Sequence, residues 1–421
     1  MAREMKGSGI EWIGEIPKDW EISRLQWNLE EINVSNLPIQ TENILSLTIE
    51  SGVIPYEEKG NQGNKAKENL EEYKVAFPDT LVVNSMNVII GAVGISQYYG
   101  CVSPVYYVFK SVENTDLRYI YYLFTNVGFQ KEMRKYAKGI LEIRLRISSN
   151  DMLKRMIPKP PYNEQKKIAD FLDIKCAELD KVLVNTRTSI EEYKKLKQAI
   201  ITQAVTKGVR GDREMKDSGN DFIGMMPCDW EVCKFGRCVT IKSNLVAPGK
   251  YLSYPQIAPD NIEKGSARLL NNVRTVEEVG VISWNHLFHK GQIIYSKIRP
   301  MLNKLVIAPF DGLCSADMYP IETENDTEYI AFLMLSDLFL SQVGLVTINR
   351  VKMPKINQIE LANIRVPLPE IEEQREIAEY LKGKCMQLDE IIDKKEKCLT
   401  EIENYKKSLI YEYVTGKKEV L

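Results

Sequence analysis

Between Lys290 and Lys304 the chain carries four positive charges, Lys290, Lys297, Arg299 and Lys304, and no acid. Tyr295, Ser296 and Asn303 lie among them. That mixture offers two kinds of donor at once: cations for phosphate oxygens and short polar groups for base edges. A second basic run, Arg350, Lys352 and Lys355, repeats the theme in the same half of the chain. The first half has its own version. Nine basic residues against three acidic ones occupy 131–159. Lys138, Arg144 and Arg146 from that run join Asn84, Ser85 and Asn87 as candidates for contact with double-stranded DNA. Arg144 and Arg146 alternate along 143–147, so a strand there would turn both to one side. Net charge is only −2 over 421 residues. A uniformly basic binder is therefore excluded, and the positive residues must act as local patches.

Groups that could carry a reaction are scarce. Lys159-Pro160-Pro161-Tyr162 has the Pro-Pro-aromatic core with which amino-methyltransferases hold a target base. Lys159, however, stands where Asn or Asp is needed, and proline is ordinary at a helix start. No Gly-x-Gly-x-x-Gly or Gly-x-x-x-x-Gly-Lys-Ser/Thr cradle is present. His286 and His289 are the only histidines and lack a third ligand; Cys228, Cys233 and Cys238 lack a His-rich partner segment. No metal, cofactor or catalytic residue is expected. The start of the chain is polar and no apolar run approaches 18 residues, so the expected place is the cytoplasm, with reduced cysteines.

The elements that must position these residues occur twice. Met5–Ile22 returns as Met215–Val232, with ten of eighteen positions identical at an offset of 210. Glu164-Gln165 and Ile168-Ala169 return as Glu373-Gln374 and Ile377-Ala378 at 209. A period that long means two copies of one large unit, not a solenoid. Each copy opens with a mixed globule. Strands are expected at 81–83, 88–90 and 102–109 in the first copy and at 293–295 and 305–307 in the second, with helices over 117–135 and 328–342. Gly100 and Ser103 align with Gly312 and Ser315. By the same alignment Ser85 falls on Lys297 and Asn87 on Arg299. One position with two different side chains is how two modules would read two different sequences.

Each copy closes with a long helix. Leu172, Cys176, Leu179, Leu183, Ile190, Tyr193, Ile200 and Ala204 step by heptads, and so do Leu381, Cys385, Leu388, Ile392, Leu399, Ile402, Leu409 and Tyr413. Pro160-Pro161 and Pro367/Pro369 mark the starts, Gly208 and Gly416 the ends. A helix over 164–206 would be about 64 Å long. Thr186/Lys395 and Lys197/Lys406 interrupt the stripe at matching places, either to fix register or as tolerated snorkelling side chains. The expected fold is α+β: globules at 1–160 and 210–368 and helices at 161–209 and 369–421, the helices pairing antiparallel as a coiled coil about a pseudo-twofold.

Several segments together resemble the specificity subunit of Type I restriction–modification systems. Trp12–Trp20 and its copy Phe222–Trp230 look like the family's module opening. Gly291–Pro300 resembles its target-recognition segment, and Ile364–Pro369 with Glu373-Gln374 and Ile377-Ala378 its helix-opening motif. Both helices end in Val-Thr, as in that family. The resemblance spans essentially the whole chain. It implies a non-catalytic subunit whose two target-recognition domains each read half of a split DNA sequence. It also implies two methyltransferase subunits docked around the helices and module openings, and a restriction/translocase subunit joined through them. Trp12, Trp20, Phe222 and Trp230 are the docking candidates, because surfaces for identical partners should stay alike while readers diverge. The competing readings are a coiled-coil scaffold that gathers proteins without DNA, and a self-sufficient enzyme.

Overall fold

The computed structural model describes residues 3–60, 66–67, 69–139, 145–350 and 352–420. The chain divides into two compact units: Met1–Thr186 with Lys397–Leu421, and Arg187–Glu396. Both open with a two-stranded hairpin, Met5–Gly7 with Glu15–Pro17 in the first and Met215–Asp217 with Met225–Pro227 in the second. Both are built on a four-stranded antiparallel sheet of one topology. In the first unit the order is Leu29–Ile32, Tyr106–Ser111, Thr80–Asn84, Val93–Ser96; in the second it is Thr240–Ile241, Met318–Glu322, Ile293–Ser296, Leu305–Ile307. Thr80–Asn84 and Ile293–Ser296 are buried at every residue, as β-branched central strands should be. The second unit adds a five-stranded sheet, Leu245–Val246, Asn285–Phe288, Gly312–Cys314, Pro255–Ile257 and Arg274–Thr275.

Three expectations change. The segment 88–90 is a 3-10 turn, not a strand, and Gly91 ends it at φ +88°. The strand expected over 102–109 is two strands, Gly100–Val102 and Tyr106–Ser111, separated by a turn in which Tyr106 N–H donates to Ser103 O at 2.9 Å. The helices expected over 117–135 and 328–342 each break in two. Asn126 sits in extended backbone between Leu117–Thr125 and Val127–Arg134, and its side chain accepts from Gly128 N and Phe129 N. Ser336 does the same between Thr327–Leu335 and Asp337–Thr347, accepting from Phe339 N. A short polar side chain that satisfies the orphan donors of a new first turn makes the restart cheaper than continuing.

The long helices run Tyr162–Lys207 and Ile371–Val414. Each start is pinned by the duplicated glutamine. Gln165 accepts from Asp116 N at 3.0 Å and donates to Pro160 O at 2.9 Å, and Gln374 does likewise with Asp326 and Pro369. Within the first unit the helices pair antiparallel: Phe171 lies 4.4 Å from Tyr413 between ring centres, and Asp180 meets Lys406 at 2.6 Å. Leu172 and Cys176 join Leu409, Ile410 and Val414 in its core. Within the second unit Lys197 meets Asp389 at 2.7 Å, and Ile201, Ala204 and Val205 share a core with Ile377, Leu381 and Cys385. Ile201 rather than Ile200 is the fully buried residue there. Burial pushes the thiols of Cys176 and Cys385 up to about 11, so both pack as small inert hydrophobes.

Candidate nucleic-acid interface

In the second unit the strand Ile293–Ser296 runs out through Lys297–Arg299 into a 3-10 turn, Pro300–Leu302. Arg299 and Asn303 flank that turn at φ +45° and +44°. L side chains populate this region sparsely, so other contacts must hold it. Arg299 N–H donates to Pro354 O at 2.8 Å, Ile356 N–H to Lys297 O at 3.0 Å, and the Asn303 side-chain amide to Met334 O at 3.0 Å. The first two of these bonds stitch together the two basic runs, which lie some fifty residues apart in sequence. Arg299, Lys352 and Lys355 are exposed there. Lys297 is partly buried, with Nζ 5.2 Å from the centre of the Tyr319 ring, and Lys355 Nζ lies 3.0 Å from Asp317. Arg350 is occupied internally. Its guanidinium pairs with Glu360 and donates to Lys355 O, bracing the segment rather than reaching outward.

The first unit repeats the framework. Thr80–Asn84 leads through Ser85 and Asn87 into the 3-10 turn Val88–Ile90. Ile147 N–H donates to Ser85 O at 3.1 Å, as Ile356 does to Lys297. The Tyr107 hydroxyl donates to Ile147 O at 3.2 Å, as Tyr319 does to Ile356 O at 3.4 Å. Lys138 and Arg146 exchange both backbone hydrogen bonds and are exposed, as is Asn87. Arg146 precedes Ile147 as Lys355 precedes Ile356. Arg144 lies outside the described residues. Two frameworks held by equivalent hydrogen bonds thus present Asn87 in one unit (φ −110°) and Arg299 in the other (φ +45°), and a buried Ser85 against a partly exposed Lys297.

Several expected contact residues are turned inward instead. Asn84 is buried, with its side chain accepting from Met86 N at 3.0 Å, and Ser85 is wholly buried. Ser296 is buried, donating to Ile298 O, and Asn303 is buried as described above. Lys304 Nζ donates to Pro259 O at 2.7 Å. Tyr295 is wholly buried, and that burial pushes its phenol well above the ordinary value. Tyr295 and Ser296 belong to a central strand covered on both faces, so neither has a solvent side. In this structure these residues shape the turn and the strand that leads into it. Among the described residues no group of three or more His, Cys, Asp or Glu side chains is placed to hold a metal ion.

A model of the Type I restriction modification DNA specificity domain matches the chain twice, over residues 17–188 and 230–404. The chain belongs to that family. The EcoDI specificity subunit of a Type I restriction enzyme from Escherichia coli is 32% identical over 285 residues, 64% of this chain and 64% of its own. The chain thus matches just under two thirds of that relative's length. The MjaVIII specificity subunit of Methanocaldococcus jannaschii is 26% identical over 96% of this chain and 94% of its own. A solved chain from work on complex assembly and conformational transition of the type I R-M system superposes with a TM-score of 0.70, covering 96% of this chain and 99% of that one. At 13% identity that likeness is one of fold.

In this specificity subunit the tryptophans assigned to docking have another place. Trp20 and Trp230 are fully buried. Trp20 Nε1 donates to Glu164 at 2.9 Å, and Trp230 Nε1 to Glu373 at 3.0 Å. Arg3 joins Glu164 to Asp19, and Arg213 joins Glu373 to Asp229. A Cβ on Gly416 would strike Pro17 and come within 3.0 Å of Trp20; one on Gly208 would meet Glu373 and Trp230. Each tryptophan is therefore the seat on which a helix end closes, and it offers no surface to a partner. Trp12 is partly buried against Phe129, ring centres 5.7 Å apart, and Phe222 is exposed. The tyrosine hydroxyls of the framework were missed, although Tyr107 and Tyr319 recur at the offset of Gly100 and Gly312; the two isoleucines belong to stretches, Arg146-Ile147 and Lys355-Ile356, whose repetition the sequence shows. Asp317 carried no such signal, since Val105 stands at its place in the first copy.

Proposed function

We propose that this specificity subunit reads a split target in double-stranded DNA, one half through each globule, without catalysing a reaction itself. The observation that carries the reading is the duplicated framework: a central strand leading into a 3-10 turn, held in each unit by an equivalent tyrosine and isoleucine, that exposes Asn87 in one unit and Arg299 in the other. Cations around each turn supply sequence-independent attraction to phosphates, and the side chain that differs supplies discrimination. The paired helices set the unread spacer between the half-sites. Two methyltransferase subunits dock on the duplicated surfaces around Trp12 and Phe222 and on the backs of the helices, and a restriction/translocase subunit joins through them. Replacing residues 20–157 by the matching segment of another family member, followed by methylome mapping, tests the reading. One half of the methylated sequence should change. A change in both halves, or in neither, overturns it.

A further inference from the structure

The second unit carries an apolar projection beside the basic framework. Ile282 is 93% exposed and Trp284 60% exposed, on the segment leading from the short helix Val276–Val279 into the strand Asn285–Phe288. Folding gives no reason for either exposure, and side chains of this size left in water mark contact surfaces. The segment is also held firmly at its base. Asn285 is 2% exposed and donates from its side-chain amide to Ser283 O at 3.0 Å; the Gln256 amide reaches Asn285 Oδ1 at 3.4 Å from the neighbouring part of the sheet. Gly280, at φ +70°, closes the preceding helix. The nearest acid in sequence, Glu278, is turned back onto Thr275 N at 2.8 Å. Buried carboxamides spent on fixing a loop tip pre-organise it, which lowers the cost of ordering it on binding.

What the projection faces follows from its surroundings. It borders an open cavity of about 560 Å³ that Gln256, Asn285 and Ser315 also line. Ser315 Oγ accepts from Asp317 N, Asp317 O accepts from Lys297 N, and the Asp317 carboxylate pairs with Lys355. Lys297 is near enough to His286, the residue after Asn285, to help lower its basicity, although burial is the larger cause. The segment that carries the apolar tip is therefore linked to the Lys297–Lys355 cluster through the cavity wall, Ser315 and Asp317. We infer that Ile282 and Trp284 are specificity-determining residues that contact base pairs of the second half-site by apolar contact, with Asn285 and Gln256 as positioning residues behind them. This rests on the DNA-reading function proposed above. Apolar contact in a groove recognises thymine by its methyl group.

Selection from a randomised duplex library tests this, using the full chain assembled with its modification subunits. Ile282→Ser and Trp284→Ala remove exposed side chains, so the fold is kept. Each should lower discrimination at one or two positions of the second half-site by about tenfold, as one mismatched base pair does. The first half-site should be read as before. Asn285→Ala should blur the same positions. If Ile282→Ser and Trp284→Ala leave the selected sequence unchanged while Arg299→Ala alters it, DNA reading stands and the projection has no part in it. If they weaken subunit assembly with the selected sequence unchanged, the tip is a protein contact and the inference fails. If the wild-type assembly selects no sequence, it is the proposed function that fails.

Discussion

On the proposed reading, Asn87 and Arg299 show how little of a reading surface has to differ. Both cap a 3-10 turn at the end of a central strand, and both are exposed. Arg299→Ala should cost roughly 1–3 kcal/mol for the preferred base at one position of one half-site and little elsewhere, as a base-edge donor does. Arg146→Ala should instead weaken binding to all sequences and reduce the salt slope by about one unit, as a phosphate contact does. Lys355→Ala should act in the same direction but less, because Asp317 already takes part of its charge. Titrations of the Arg299→Ala and Arg146→Ala variants at several salt concentrations separate the two kinds of loss; a sequence-selective effect of Arg146→Ala would reject its assignment. Glu373 belongs to the same scale but to stability. Its side chain is 3% exposed and serves both Arg213 and Trp230. Glu373→Gln should cost roughly 3 kcal/mol in chemical denaturation, since it removes the buried one of Arg213's two carboxylates and leaves only Asp229, whose side chain is 63% exposed. Glu164→Gln, at a side chain 21% exposed, should cost distinctly less. Equal costs would mean that burial does not set the strength of these clusters.

At the scale of elements, two of the helix-to-helix ion pairs are related by the duplication but not equal. Lys197 and Asp389 have side chains 11% and 26% exposed; Lys406 and Asp180 are at 26% and 54%. Asp389→Ala should therefore destabilise the second unit by about 2–3 kcal/mol, because it strands a nearly buried ammonium. Asp180→Ala should cost below about 1 kcal/mol. Denaturant midpoints of the two variants decide it, and the reverse ranking would show that solvent exposure is the wrong guide. The long helices themselves were legible in the sequence, down to their proline starts and the glycines at φ +75° and +71° where they end. A heptad stripe and a breaker at each end are local signals. The Asn126 and Ser336 restarts were not legible, because apolar periodicity continues across both and only the capping geometry shows the interruption. The inward turn of Tyr295, Asn303 and Lys304 was hidden for a different reason. A polar residue in a basic run reads as exposed until the sheet that covers it is known, and the sheet order depends on pairings far apart in sequence.

At the scale of the whole molecule, the duplication in sequence and the division in space do not coincide. The second unit is one continuous stretch, Arg187–Glu396. The first needs Lys397–Leu421 as well as Met1–Thr186. The Tyr119 hydroxyl lies 3.0 Å from Val414 O, the Tyr411 hydroxyl donates to Ile13 O, and Gly416 packs on Trp20. On a ribosome this inverts the order of completion. The globule that emerges first cannot finish folding until the last segment follows it, whereas the globule that emerges second has everything it needs by Glu396. At roughly 5–20 residues per second the nascent first globule waits about 10–50 s with Trp20 and Leu172 lacking their cover. Protease challenge of ribosome-stalled chains should find 187–396 protected before 1–186. Simultaneous protection would mean that the first globule closes without its C-terminal strap. A frameshift or premature stop after Glu396 would therefore damage the module at the opposite end of the gene, and leave the one beside the lesion intact.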